Sequence, residues 1–197
     1  MINYPIKRKA QQKVTNYANL GMTLESDIES SNLYYLNQGI AVIHKKPTPI
    51  QVVSVSYPAR NKAKITEAYY KTPSTTDFNG IYQGFYIDFD AKETNSRTSM
   101  PLKNVHEHQI EHLKGVVKQG GIAFLIVHFK AYNEYFLLPA STLFTFWDNK
   151  EEEKGRKSIP YEAFKSEAYP IPFGYQPRLD YLKIMRENLD SFLKNPR

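Results

Sequence analysis

Two aspartates and one lysine stand where they could do chemistry together. Asp77 precedes an Asn-Gly dipeptide, which predicts a turn, and Asp90 and Lys92 lie two residues apart near the end of a predicted strand. Alternation along that strand puts Asp90 and Lys92 on one face, and the turn would bring Asp77 back toward them. Because two carboxylates in one cleft repel each other, a hard cation should lie between them, and oxygen-only ligands suit Mg²⁺.

The lysine adds a catalytic group to this pair of carboxylates. Lys92 could orient or deprotonate an attacking water and stabilise charge that develops on a phosphate. The pattern Asp…(Asp/Glu)-x-Lys therefore indicates a nuclease that hydrolyses phosphodiester bonds. The pattern is short, however, and a solvated strand face with an incidental ion pair explains the same residues. Asp88 and Glu93 beside the cluster could be supporting groups or surface groups.

Composition favours a polyanionic partner and excludes several other classes. The 197 residues carry 26 Lys and Arg against 20 Asp and Glu, a net charge of +6, and a positive excess favours nucleic acid through counterion release. The chain has no cysteine, which excludes a disulfide scaffold and a thiolate metal site. Since no apolar run would span a membrane and the N-terminus has no secretory signal, we expect a cytoplasmic protein without membrane contacts.

The elements that must position the cluster predict one mixed α/β domain, with helices packed on a central sheet. Residues 1–15 hold four basic side chains and no acidic one, which indicates a mobile basic arm before a single domain at 16–197. We predict helices that begin at Thr23, Asn104, Ser141 and Pro177, and strands near 39–44, 50–57, 65–70, 85–90, 122–129 and 134–138.

Longer stretches of the chain resemble the RecU family of Holliday junction resolvases. The resemblance covers most of the chain and is carried by residues 21–25, 41–50, 74–77, 86–94 and 106–112. The blocks Ile-His-Lys-Lys-Pro-Thr-Pro and His-x-His-Gln-Ile are long and unusual, so the resemblance is specific. It implies a restriction-endonuclease-like core, a mixed sheet flanked by helices, from which a β stalk projects.

The resemblance also implies roles for individual residues. The enzyme would depend on Mg²⁺, with Mn²⁺ able to substitute, and would cut four-way DNA junctions by paired symmetric nicks in recombination and repair. The metal ligands would be Thr75, Asp77, Asp90 and Gln109. Lys92 would be the catalytic lysine beside Asp77 and Asp90, and Glu25 on the first helix would border the site.

The stalk is expected at about residues 56–70 and would enter the centre of an open junction. The resemblance implies a homodimer whose two-fold symmetry matches that of the substrate, and an interaction with a RecA-type recombinase. DNA contacts are expected from Lys45, Lys46, Arg60, Lys62 and Lys64. Lys45 and Lys46 could instead form an ordinary strand end, and the other three residues could belong to a solvated loop.

Two positions depart from the family pattern. Asp90 stands where the family usually has Glu, and Leu20 stands where it usually has Arg before Gly-Met. A lost arginine removes a phosphate contact. These departures leave an alternative open, in which the chain is a junction-binding recombination protein with weakened or no cleavage activity.

The segment His108-Gln-Ile-Glu-His112 matches the inverted zincin pattern, with two histidines one helical turn apart. A zinc site would need a third ligand and an open coordination position. No downstream Glu or His stands out in the sequence as that ligand, so we expect these histidines to lie on a helix face.

Overall fold

The structure is a computed structural model that describes residues 23–71, 75–153 and 155–193. The arm predicted at 1–15 and Leu20 lie outside the described residues. The helices are α1 (Leu24–Asn37), α2 (Glu107–Lys118), α3 (Ala140–Asp148), α4 (Tyr161–Glu167), α5 (Tyr181–Glu187) and α6 (Leu189–Leu193). The strands are β1 (Val42–Lys45), β2 (Ile50–Ala59), β3 (Lys62–Tyr70), β4 (Phe78–Tyr82), β5 (Phe85–Thr94), β6 (Ser99–Pro101), β7 (Ile122–Phe129), β8 (Glu134–Pro139), β9 (Ser158–Pro160) and β10 (Tyr169–Ile171).

A six-stranded mixed sheet forms the centre of the fold, in the order β1-β4-β5-β7-β8-β10. Strands β5 and β7 pair in parallel, and the other neighbours are antiparallel. The parallel pair requires a crossover, which α2 supplies between the two strands. The prediction of a mixed α/β fold with helices on a central sheet is confirmed.

Helices cover both faces of this sheet and enclose two hydrophobic cores. The first core lies against α1, α5 and α6, and the second against α2, α3 and α4. Strand β5 sends Ile87 and Phe89 into the first core but contributes no side chain to the second. The face of β5 toward α2 therefore carries the alternate residues, which include the buried Asp88 and Asp90.

The turn predicted at Asn79-Gly80 is wrong, because both residues lie inside β4. The chain reverses at Gln83-Gly84, where φ is 49° and 86°, and such positive values at two successive residues suit a tight hairpin turn. Gly80 serves another purpose: a Cβ there would lie 2.1 Å from the carbonyl oxygen of Val42 on β1. Glycine at this position lets β1 approach β4 closely.

Strands β2 and β3 form a hairpin that is separate from the central sheet. Every residue of the two strands is exposed apart from the half-buried Ser54. The stalk was expected at about 56–70, whereas the paired strands begin at Ile50 and end at Tyr70. Residues 50–55 were not assigned to the stalk from the sequence, because the predicted strand at 50–57 was equally compatible with a place in the central sheet.

Several predicted boundaries need correction. Helix α2 begins after His106, and Asn104 belongs to a short 3-10 helix. The last predicted helix does not begin at Pro177. Asp180 caps α5 instead, and its side chain accepts from Lys183 N. The strand predicted at 39–44 begins at Val42. None of the described helices is long and apolar enough to cross a lipid bilayer.

Other predicted elements are confirmed, and several were missed. Thr23 caps α1, with its Oγ1 accepting from Ser26 N at 3.3 Å. The helix predicted at 141–147 and the strands at 122–129 and 134–138 correspond to α3, β7 and β8. Besides β4, the missed elements are β6, β9, β10 and α4, each with seven or fewer residues, too short for a clear hydrophobic period.

Candidate active site

Asp77, Asp90 and Lys92 come together on the α2 side of the central sheet. The β4–β5 ladder pairs Phe78 with Phe89, so Asp77, one residue before β4, lies beside Asp90. The Oδ2 atom of Asp77 accepts a hydrogen bond from Ala91 N at 3.3 Å. The Nζ atom of Lys92 lies 2.5 Å from Oδ2 of Asp90. The predicted proximity of Asp77 and Asp90 is present, although a different turn produces it.

Asp90 is fully buried, and its carboxylate lacks conventional hydrogen bonds. Among the described residues, neither of its oxygens has a partner with full hydrogen-bond geometry, although Lys92 and the carboxyl of Asp77 lie in close contact with it. Burial, followed by the neighbouring Asp77, raises the pKa of Asp90 to about 8, and the ammonium of Lys92 opposes this rise. Two ionised carboxylates at this position therefore need a positive charge beyond that of Lys92.

A cleft of about 290 Å³ lies beside Asp77, and the fully buried Asp90 is not part of its lining. Its lining includes Thr75 and Asp77 from the segment before β4, Glu25 from α1, and Lys45 and Lys46 from the end of β1. The structure thus places Thr75 and Glu25 close to Asp77, where a ligand and a bordering residue were predicted. Their roles remain predictions.

Glu93 fixes the beginning of α1, and through it the position of Glu25. The Oε1 atom of Glu93 accepts from Leu24 N at 3.1 Å, and Oε2 lies 2.6 Å from Lys130 Nζ. Burial would raise the pKa of Glu93, but hydrogen bonds from Lys130, Leu24 N and His128 outweigh it and lower that pKa. An ionised Glu93 at a helix N-terminus also stabilises the helix dipole. Glu93 is thus a supporting group, a point that the sequence left open.

The residues around Asp90 fit a hard divalent cation. Both oxygens of the buried Asp90 and the carboxylate of Asp77 present oxygen donors, which Mg²⁺ prefers over nitrogen or sulfur. Within the described residues no group of three His, Asp or Glu side chains could hold a metal. Further ligands would therefore have to be neutral oxygens, such as the Thr75 hydroxyl or an amide.

Gln109 was predicted to supply such an amide oxygen. Its side chain is buried, and its Oε1 accepts from His106 N at 3.1 Å, which satisfies an amide at the start of α2. A carbonyl oxygen has two lone pairs, so one remains for a cation. The helix cap is what the contacts support directly, and ligation by Gln109 remains a prediction.

The lysines at the end of β1 have partners within the protein. Lys46 Nζ lies 2.9 Å from Asp88 Oδ2 and 2.9 Å from Thr76 Oγ1, and its side chain is 18% exposed. Lys45 pairs with Glu25 at 2.6 Å and with Glu29 at 3.1 Å. Both lysines thus have internal partners in the protein without DNA, and the DNA contacts expected from Lys45 and Lys46 remain predictions.

The remaining predicted DNA contacts lie on the hairpin. Arg60 occupies its tip, Lys62 and Lys64 follow on β3, and all three side chains are exposed. They lie away from the carboxylate cluster in sequence and sheet, and the structure does not bring them into it. Their position is compatible with phosphate contacts that extend beyond the cleft.

The zinc reading of the two histidines finds no support. His112 lies on α2 with its Nε2 2.9 Å from Asp88 Oδ2, so it contacts a carboxylate of the central sheet. No third ligand stands with His108 and His112 among the described residues. The prediction that both histidines belong to a helix is confirmed.

The sequence missed the role of Asp88, which is fully buried and has four partners. Its Oδ1 accepts from Thr76 Oγ1, and its Oδ2 accepts from Lys46 and from Tyr86 OH, the latter at 2.8 Å. Alternation placed Asp88 on the same face as Asp90. Nothing in the sequence distinguished the carboxylate that the chain itself satisfies from the one that it leaves without hydrogen bonds.

The fold and the site together define a mixed α/β protein with a carboxylate–lysine cluster on one strand of its central sheet. The family model described as RecU, Recombination protein U, matches residues 19–187, so the chain belongs to the RecU family. A Geobacillus kaustophilus protein named Holliday junction resolvase RecU is 54% identical over 176 residues, which cover 89% of this chain and 88% of that protein. A Staphylococcus aureus (strain JH9) protein of the same name is 54% identical over 179 residues, 91% of this chain and 86% of its own.

A solved structure of Archaeoglobus fulgidus Hjc, a Holliday junction resolvase, is a weaker match. It shares 10% sequence identity, has a TM-score of 0.40, and the match covers 72% of this chain and 92% of that chain. Family membership rests on the sequence matches alone.

Proposed function

We propose that this protein is a Mg²⁺-dependent endonuclease that resolves four-way DNA junctions by paired symmetric nicks. The observation that carries the proposal is the cluster of Asp77, Asp90 and Lys92, found in a chain that belongs to the RecU family. Relatives that share 54% of their residues over most of the chain are named Holliday junction resolvases.

The residues of the cluster would have separate roles in phosphodiester hydrolysis. Asp77 and Asp90 would hold the cation together with Thr75 and Gln109. When bound, Mg²⁺ supplies a Lewis acid that polarises a phosphate oxygen and lowers the pKa of water. Lys92 would orient the attacking water and offset charge that develops on the phosphate. Burial of Asp90 supports this division, because the low-dielectric surroundings strengthen every one of these interactions.

The hairpin of β2 and β3 is the element that we assign to junction recognition. Arg60, Lys62 and Lys64 would contact phosphates, and the exposed rings of Tyr69 and Tyr70 would stack on bases at the branch point. A homodimer would place two hairpins and two clusters around a two-fold symmetric junction, so that paired strands are cut.

Three further parts of the proposal depend on the family resemblance. Mn²⁺ should replace Mg²⁺, because it also accepts oxygen ligands. The protein should act in the cytoplasm, as expected of a resolvase of this family. An interaction with a RecA-type recombinase is expected from the resemblance alone, and no described residue supports it.

Cleavage of an end-labelled four-way junction by excess protein tests this proposal, with Mg²⁺ and then with EDTA. We expect paired cuts at symmetric positions that disappear with EDTA, and far less cleavage of a linear duplex of the same sequence. Equal cleavage of both DNAs would indicate a general nuclease. A junction that is bound but not cut would favour the junction-binding alternative, in which Asp90 and Leu20 have weakened the chemistry.

A further inference from the structure

We propose that Asp88 is a positioning residue. It holds Lys46 and Thr76, which flank the β2–β3 hairpin, in one fixed arrangement, and with them the segment 75–77 that contains two predicted metal ligands. Asp88 would thereby set the cation affinity of the cluster without touching cation or substrate. This inference rests on the proposed function, since it concerns the same site.

The partners of Asp88 come from separate parts of the chain that meet only in the folded protein. Lys46 follows β1, Thr76 precedes β4, and His112 lies on α2; Tyr86 shares β5 with Asp88 itself. Because Asp88 is fully buried, its charge must be satisfied by these groups rather than by water. The carboxylate therefore fixes the positions of all of them at once.

Two of these partners flank the hairpin. Lys46 lies four residues before β2 begins, and Thr76 lies six residues after β3 ends. Lys46 Nζ also donates to Thr76 Oγ1 at 2.9 Å, and Lys71 N donates to Pro49 O at 3.0 Å. The two ends of the hairpin are thus joined to each other and to Asp88.

The same contacts hold the predicted metal ligands. Thr76 stands between Thr75 and Asp77, and Lys46 N donates to the carbonyl oxygen of Asp77 at 2.7 Å. Lys46 consequently holds this segment through both its main chain and its side chain. Loss of Asp88 or of the Thr76 hydroxyl should let Thr75 and Asp77 shift relative to Asp90, which the central sheet holds in place.

This arrangement gives Lys46 a different task from phosphate binding. Two of the three donors of its ammonium point to Thr76 and Asp88 inside the protein. Lys45, whose side chain points to the opposite face of β1, pairs instead with glutamates of α1. A phosphate contact by Lys46 predicts weaker junction binding on its removal, whereas a positioning role predicts a higher Mg²⁺ requirement with binding unchanged.

The test compares Thr76→Val with Thr76→Ser, since the first removes the hydroxyl at nearly constant volume and the second keeps it. Single-turnover cleavage of a four-way junction is measured against Mg²⁺ concentration, and junction binding is measured in EDTA. For Thr76→Val and for Lys46→Met we expect the half-saturating Mg²⁺ concentration to rise about tenfold, as for groups that orient metal ligands, with junction affinity within about threefold. Thr76→Ser should recover most of this loss.

Lys114→Met is the matched control for Lys46→Met, because it removes a lysine from an exposed ion pair with Asp148. It should change neither quantity. Parallel loss of binding and cleavage in Lys46→Met would overturn the positioning role in favour of a phosphate contact. A lower cleaved fraction at an unchanged Mg²⁺ requirement would also overturn it, since that result indicates partial unfolding only.

Failure of the proposed function is distinguishable from failure of this inference. If the wild-type protein does not cut the junction, the proposed function is wrong. The inference is then decided by Mn²⁺ binding to the protein alone, followed by electron paramagnetic resonance. Weaker binding in Thr76→Val than in the wild type and Thr76→Ser would support it, and equal binding in all three would overturn it.

Discussion

Asp88 and Asp90 lie two residues apart on the same face of β5, and both are fully buried, yet their surroundings differ. Asp88 is satisfied by Thr76, Lys46, Tyr86 and His112. Within the part of the chain that the structure describes, Asp90 contacts the ammonium of Lys92 and has a second carboxylate beside it. The chain thus satisfies one carboxylate fully, and we propose that the other holds a cation.

The difference shows how one strand can serve structure and chemistry together. A buried carboxylate with good hydrogen bonds stays in place but has no capacity for a further ligand. A buried carboxylate without them is destabilising in the free protein, and that cost is recovered when a cation binds.

The largest effect is expected for Asp90→Asn, which keeps the shape but removes the charge. Cleavage of a four-way junction should fall by about a thousandfold, because the cation loses its central ligand and the transition state its electrostatic support. The thermal unfolding midpoint without metal should fall less than in Asp88→Asn, because the lost counter-charge of Lys92 is offset by removal of a carboxyl whose pKa is raised by burial and by Asp77. Single-turnover kinetics and calorimetry measure the two quantities. A stable variant that still cuts the junction would show that Asp90 is not part of the catalytic site.

Asp88→Asn should mainly lower the stability of the protein, whereas Asp90→Asn should mainly lower cleavage. Asp88→Asn leaves the ammonium of Lys46 without its buried counter-charge, and breaking a buried pair from one side costs about 3 kcal/mol of unfolding free energy. Denaturant unfolding in EDTA measures this loss, with Asp90→Asn as the matched variant two residues away. If Asp90→Asn destabilised the protein more than Asp88→Asn, the proposed division between the two carboxylates would be wrong.

The pH dependence of stability should come from Asp90. Its pKa is raised to about 8 in the folded protein, above the value of an unfolded aspartate, so the stability it contributes is present at low pH. That contribution is lost as pH rises toward about 8, since the unfolded chain then releases a proton that the folded protein retains. Unfolding in EDTA from about pH 5 to about pH 9 should show a decline for the wild type that Asp90→Asn lacks. A steeper decline in Asp90→Asn would contradict this assignment.

The smallest effect is expected for Asp90→Glu, which introduces the residue that the family usually has. The extra methylene enters a fully buried position and should cost about 1 kcal/mol in stability. Cleavage should change by less than about threefold, because either carboxylate supplies an oxygen ligand. A large gain in cleavage would instead show that the shorter Asp90 limits the natural protein.

Much of the fold around the two carboxylates could be predicted from the sequence, although the contrast between them could not, and the reasons are physical. The alternation in 85–94 indicated which residues of β5 share a face, and the β-rich stretches 50–57 and 65–70 indicated two strands. The expectation that they form a projecting stalk came from the family resemblance alone. The turn at Gln83-Gly84 was missed because Asn-Gly is the stronger turn signal, whereas Gly80 is required by the close approach of β1. That approach is a long-range contact, which local sequence does not encode.

The hydrogen-bond partners of each carboxylate were beyond the sequence for the same reason. Lys46 lies 42 residues from Asp88 and His112 lies 24 residues from it, so only the folded chain brings them together. The expected DNA contact of Lys46 came from the family resemblance, whereas its place near a strand end alone was compatible with an ordinary strand end. Its position beside Asp88 became visible only in three dimensions.

Mn²⁺ titration of the wild type, Asp90→Asn and Asp88→Asn, followed by electron paramagnetic resonance of the free ion, tests the division between the two carboxylates most directly. We predict binding by the wild type, loss of binding in Asp90→Asn, and weaker but measurable binding in Asp88→Asn. Unchanged binding in Asp90→Asn would contradict the assignment of Asp90 as the carboxylate that holds the cation.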